Sequence, residues 1–101
     1  MYKMKISYCL YDQQGEKLLA ACDKQLLGKT LEEGELHLNI KESFYGGQEM
    51  EIEEISSYFE SITIANLVGE NTVKKALEKG FGYEEDVLMI QGVPHLQIVR
   101  M

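Results

Sequence analysis

The residues able to do chemistry are few and widely spaced. They are Cys9 and Cys22, His37 and His95, and the amide Asn66 within the apolar run Ile64, Ala65, Asn66, Leu67, Val68. A thiol activated by a histidine would make a nucleophile pair, and two histidines joined by a carboxylate would hold a metal ion. Neither histidine, however, has a second His or Cys at the close spacing of zinc ligands. A thiol facing inward among apolar groups is inert. The neighbouring Glu53 and Glu54 diverge on a helix, so they form part of a solvated face and not an acid and base dyad. These residues therefore predict no catalytic group, no metal site and no cofactor.

Binding residues stand out more clearly. Phe44, Tyr45, Gly46 and Gly47 set two rings beside two glycines, which allow positive φ or close backbone approach. The rings would stack on a base, anchor a partner or plug the core at a sharp turn. Asn66, if buried, must find partners for its four hydrogen-bonding sites, so it ties one backbone segment to another or contacts a ligand. Gly69 leads into a helix whose first N–H groups could receive an anion. Glu70 would compete with that anion, and neither GxxxxGK[ST] nor GxGxxG occurs. His95 follows Pro94, whose ring fixes its presentation. His95 and His37 are both expected on outward strand faces, where they could meet if their strands are neighbours.

The charge is distributed just as unevenly. Six acids cancel six bases up to Lys41, and four cancel four from Lys74 onward. The whole net charge of −7 therefore lies between Glu42 and Val73, on Glu42, Glu49, Glu51, Glu53, Glu54, Glu60 and Glu70. An acidic balance argues against a broad nucleic-acid groove, because phosphate contacts need Lys and Arg. Three readings result. The leading one is a non-enzymatic binding module whose acidic helix and Phe44 to Gly47 loop meet a basic protein partner, within a nucleoprotein assembly. The second is a small-ligand-binding or enzymatic pocket built from Tyr45, Asn66, Gly69 and His95. The third is RNA contact by the loop aromatics with Lys74, Lys75 and Lys79.

These residues must be positioned by a small scaffold. A chain of 101 residues has room for one core, so a single domain over 1–101 is expected. No apolar run approaches the roughly 20 residues of a membrane span. The start of the chain lacks the apolar core of a signal peptide, and a cytoplasmic protein with free thiols is expected. Met4, Ile6, Tyr8 and Leu10 alternate with Lys3, Lys5, Ser7, Cys9 and Tyr11, the pattern of a half-buried strand. If Gln13, Gln14 and Gly15 form a three-residue hairpin loop, Asp12 faces Glu16. Leu18, Ala20 and Cys22 then join the core face beside Tyr8 and Leu10, with Cys9 pointing outward.

Alternation returns over Glu35 to Ile40, with Leu36, Leu38 and Ile40 inward. From Glu51 to Ile62 the period changes: Ile52, Ile55, Phe59 and Ile62 recur at helical spacing, and the acids lie opposite them. Glu49 to Glu54 then stand at the helix amino terminus, where negative charge is favoured. Ile62 to Val68 reads as a buried strand or connector. A second helix runs from a cap at Asn71 to Lys79 and ends at Gly80. Val87 to Ile90 and His95 to Arg100 make two last strands about a Gln91 to Pro94 turn. The expected architecture is α+β, a largely antiparallel sheet of about five strands with two helices packed on it.

Several blocks agree in order with one family. They are Cys22, Asp23; Leu27, Gly28, Lys29, Thr30; Glu33, Gly34, Glu35, Leu36; Phe44, Tyr45, Gly46, Gly47; Ala65, Asn66, Leu67, Val68, Gly69; and Val93, Pro94, His95, with Gln97 and Val99. The chain resembles an archaeal family of small uncharacterised proteins, domain of unknown function 424. Leu96 is a departure, standing where a smaller residue is expected. The resemblance implies an archaeal cytoplasmic protein and carries over no catalytic role.

Overall fold

A computed structural model describes residues 4–100; Lys3, expected on the outward face of the first strand, lies outside them. The fold is α+β, as the periodicities indicated. Among the described residues there are eight strands, β1 (Lys5–Gln13), β2 (Glu16–Asp23), β3 (Thr30–Glu33), β4 (Leu36–Asn39), β5 (Gln48–Glu51), β6 (Ile64–Val68), β7 (Leu88–Ile90) and β8 (Val93–Val99). The helices are α1 (Glu42–Tyr45), α2 (Ser56–Phe59) and α3 (Glu70–Glu78). Six strands form one sheet in the order β5-β1-β2-β6-β8-β7, and β3 and β4 form a separate hairpin. Within the large sheet, among the described residues, β2 and β6 pair in parallel and the other neighbours antiparallel.

The first hairpin turns more tightly than expected. Gln14 and Gly15 have φ of 52° and 82° and form a two-residue loop, so Gln13 pairs with Glu16 and Asp12 with Lys17. Positive φ at both central residues gives a turn whose twist matches the strands. A one-residue change in register moves every side chain to the other face. Leu19 and Ala21 therefore lie beside Leu10 and Tyr8, while Leu18, Ala20 and Cys22 share the opposite face with Ser7, Cys9 and Tyr11. Cys9 and Cys22 thus lie on one face, and both are free thiols.

Central β2 is covered on both faces, which is why small residues such as Ala20, Ala21 and Cys22 serve it. One face packs Ile6, Leu19, Leu67 and Leu96 against α2, α3 and the turn Ile52–Ile55 that precedes α2. The other packs Ala20, Cys22 and Val68 beneath Leu31, Ile40 and Tyr45 of the β3–β4 hairpin and α1. Leu96, the departure from the family pattern, is fully buried. Room for it exists because a Cβ on Gly82 would come within 3.0 Å of its Cδ2.

The acidic helix starts later than its spacing suggested. Gln48–Glu51 is drawn into the sheet as β5, an edge strand beside β1. The helical turns begin at Ile52, where Glu51 and Glu54 form a reciprocal capping box. Glu49 and Glu51 are therefore strand residues, and Glu51 is the cap itself. The helix that follows β6 is closed differently from expectation. Gly69 is its cap position, and Asn71 lies inside it.

The carboxylate closing that helix comes from the end of β2. Asp23, buried, accepts from the backbone N–H groups of Asn71 and Thr72 and from their side chains, at 2.7–3.1 Å. Gly69 has φ +115°, and a Cβ there would lie 2.4 Å from Asp23 Cγ. The helix ends at Gly80, φ 74°, with Phe81 N–H donating to Ala76 carbonyl.

Candidate functional site

Tyr45, Asn66 and His95 come from α1, β6 and β8, and they meet on the hairpin-covered face of the sheet. Asn66 pairs with Gln97 and with Ala20, and His95 pairs with Val68, so both side chains point to this face. Tyr45 reaches them from above. Its carbonyl accepts from Ser7 Oγ at 3.1 Å and its hydroxyl donates to Asn66 Oδ1 at 2.9 Å. His95 Nε2 lies 2.8 Å from the same Oδ1. An amide oxygen only accepts, so Nε2 carries the imidazole proton and Nδ1 keeps a lone pair. The expectation that His95 faces solvent is corrected: it is half-buried beneath the hairpin side, because Pro94 and Gly69 tie the start of β8 to the end of β6.

The environment keeps these groups neutral. Burial, reinforced by the adjacent Cys22, pushes the Tyr45 phenol up to about 12. Burial lowers His95 from its ordinary 6.5. The Cys22 thiol is likewise pushed up to about 12, by burial first and then by Asp23, so at neutral pH it is a packed thiol without nucleophilic character. Among the described residues neither Asn66 Nδ2 nor His95 Nδ1 has a hydrogen-bond partner, and no unpaired side-chain nitrogen or oxygen is sealed from solvent. The cluster therefore offers one donor group and one acceptor, held in place by saturated neighbours.

The remaining candidates fall into other roles. Phe44 stacks on Tyr11 with centroids 5.3 Å apart and meets Tyr45 edge-on at 4.9 Å. Tyr11 hydroxyl donates to the Ser43 and Phe44 carbonyls, fixing the segment from beneath. Gly46 closes α1 through its N–H to Glu42 carbonyl, and a Cβ there would sit 2.7 Å from that oxygen. Gly47 takes φ +108° on the way into β5. Gly69 donates its N–H to Pro94 carbonyl and presses on Asp23. The N–H groups at the start of α3 are thus already occupied by a carboxylate, and the anion expected there is the protein's own.

Lys74, Lys75 and Lys79 lie on α3 or at its end, on the opposite side of the sheet from Phe44 and Tyr45. Lys75 is engaged by Glu53 at 3.2 Å and Glu78 at 3.3 Å. Glu49 pairs with Lys24 at 3.1 Å, so part of the acidic stretch is balanced within the chain. His37 pairs with Glu32 at 3.3 Å. Among the described residues no three His, Cys, Asp or Glu side chains gather to hold a metal ion, and no helix is long and apolar enough to cross a membrane. Sequence reasoning missed Ser7, Tyr11 and Asp23 as supports. Of these only Asp23 had a local signal, an acid closing a strand.

No curated protein matches the chain at a significant level. Among solved structures it is similar to an uncharacterized conserved protein from Methanopyrus kandleri. The TM-score is 0.72 at 28% identity, over 96% of this chain and 94% of the other. The model of the family described as protein of unknown function (DUF424) matches residues 11–101, which span all three residues of the cluster, and the chain belongs to that family.

Proposed function

We propose that the chain is a non-enzymatic binding module that receives a small neutral polar ligand at Asn66 and His95, with Tyr45 holding Asn66 in place. The observation that carries this reading is the convergence of Tyr45 and His95 on Asn66 Oδ1, which leaves Asn66 Nδ2 and His95 Nδ1 unpartnered among the described residues. A donor beside an acceptor complements a group bearing an acceptor beside a donor, as in a primary amide or the edge of a nucleobase. Two neutral groups at neutral pH favour an uncharged ligand, since charge would be desolvated there without a counter-charge. The free thiols suit a cytoplasmic setting, where disulfides are rare.

The test is titration of labelled protein with nicotinamide, adenosine and cytidine, observed by NMR at the Asn66 side-chain amide and the His95 ring. At least one compound should move both sets of signals in the native protein, and the His95 ring signals should stay in place in Asn66→Ala. Silence from all three compounds, or shifts that survive the substitution, would overturn the reading. A basic protein partner remains a separate reading. The exposed acids Glu42, Glu54, Glu60 and Glu70 support it, while the internal pairing of Glu49 and Glu53 weakens it.

A further inference from the structure

Among the described residues the second half of β8 has no neighbouring strand on one side. β7 pairs with β8 only through Val93, Pro94 and His95, because the chain before Leu88 departs into the turn Glu84–Asp86. Backbone groups alternate between the two edges of a strand. Arg100 N–H donates to Thr63 carbonyl and Pro94 carbonyl accepts from Gly69, both on the β6 side. Gln97 and Val99 therefore direct their N–H and C=O groups to the other side, continuing the line of Val93 and His95 toward β7. Among the described residues nothing takes those groups.

The open edge borders a cleft of about 360 Å³ lined in part by Phe81, Tyr83, Asp86, Ile98 and Val99. Tyr83 is 70% exposed and Val99 65%. Arg100, the cation at the cleft, is engaged: it donates to Phe59 carbonyl and lies 5.3 Å from the Phe81 ring centroid. The acids Glu84, Glu85 and Asp86 are exposed. The opposite edge of the sheet is guarded differently. β5 there carries Glu49 and Glu51, charged side chains of the kind that discourage strand pairing. Gln97 and Val99 carry no charge.

We infer that the Gln97 to Val99 edge of β8 is a strand-addition site for an extended peptide segment of a partner protein. Its main-chain groups pair with Gln97 and Val99, an apolar side chain lies against Phe81 and Tyr83, and a Lys or Arg faces Asp86. This is the usual logic of strand addition: backbone bonds give affinity, and alternate side chains give specificity. The proposal is independent of the Asn66 and His95 site.

The probes are the capped peptide Lys-Val-Lys-Val-Lys-Val, its Glu-Val counterpart, and a version of the first N-methylated at every residue, each titrated into the full chain at low salt. The lysine peptide should shift the Gln97 and Val99 amide signals and bind at least tenfold more tightly than either of the others. Val99→Pro deletes an N–H that the fold does not use, and it should abolish binding with the rest of the spectrum retained. Val99→Thr keeps the N–H and should bind like the native chain. Equal binding of the glutamate or N-methylated peptide, shifts elsewhere on the protein, or a Val99→Thr variant as inactive as Val99→Pro would overturn the proposal. Pairing of the same edge between two copies, seen as a concentration-dependent dimer that the lysine peptide does not dissociate, would overturn it as well.

Discussion

The two faces of the six-stranded sheet are built on opposite principles. The helix-covered face is mainly apolar, with Ile6, Leu19, Ala65, Leu67 and Leu96 fully buried against α2, α3 and the turn before α2, and its buried acid Asp23 is saturated by the start of α3. The hairpin-covered face mixes Ala20 and Val68 with Ser7, Asn66, His95 and the hydroxyl of Tyr45. A dry face needs only shape and area. A polar face must satisfy every donor and acceptor, and an atom left over on it is available to something else. Under the proposed function, stability is thus concentrated on one side of the sheet and recognition on the other.

The sharpest test of that division is to remove an equal bulk from each side. Leu67→Ala cuts into the helix face with nothing to refill the space, so it should cost about 3–5 kcal/mol, read from denaturant midpoints. Asn66→Ala on the other face removes the shared acceptor of Tyr45 and His95. Asn66 is only half-buried, so water can replace it, and the loss should be nearer about 1 kcal/mol. Ligand binding under the proposed function should follow the reverse order, abolished by Asn66→Ala and retained in whatever fraction of Leu67→Ala is folded. Equal losses of stability at the two positions would mean that the faces are not divided in this way.

The same contrast explains which features the sequence disclosed. Periodicity within one element is local, so the strand at Ile6 to Leu10, the helix ending at Gly80 and the spacing of Ile52, Ile55 and Phe59 were legible. Pairing is not local. The Gln13 to Gly15 segment fits a two- or a three-residue loop by composition, and only the packed sheet selects the register that puts Cys22 behind β2 and Leu19 in front. Gln48 to Glu51 is too short and too charged to read as a strand by itself, yet β1 offers it a partner and draws it into the sheet. Tyr45, Asn66 and His95 could be singled out as residue types. Their meeting depends on β6 lying beside β8 and on α1 folding over both, distances in sequence that no spacing rule spans. Asp23 closing α3 from the end of β2 is hidden for the same reason.

The smallest expected effect is one of protons. Burial lowers His95 below its ordinary 6.5, so the folded state prefers the neutral ring. Above pH 6.5 the ring is neutral in both folded and unfolded chains, and its contribution is fully present. As the pH falls through that value the unfolded chain takes up a proton that the folded chain resists. Stability is then lost, until the folded ring titrates as well. A His95→Gln variant should therefore show a flatter dependence of its denaturation midpoint on pH between about 6.5 and 5, above the range where carboxylates dominate. The ring's own C2 proton, followed by NMR, should titrate below 6.5 in the native protein. Protonation turns Nδ1 from acceptor to donor while leaving Nε2 on Asn66. Binding of an amide-like ligand should thus weaken over the same interval, while Leu67→Ala, on the dry face, should leave the titration of His95 where it was. A native ring that titrates at or above 6.5 would place His95 in solvent and dissolve the distinction between the two faces at the one residue where charge can report it.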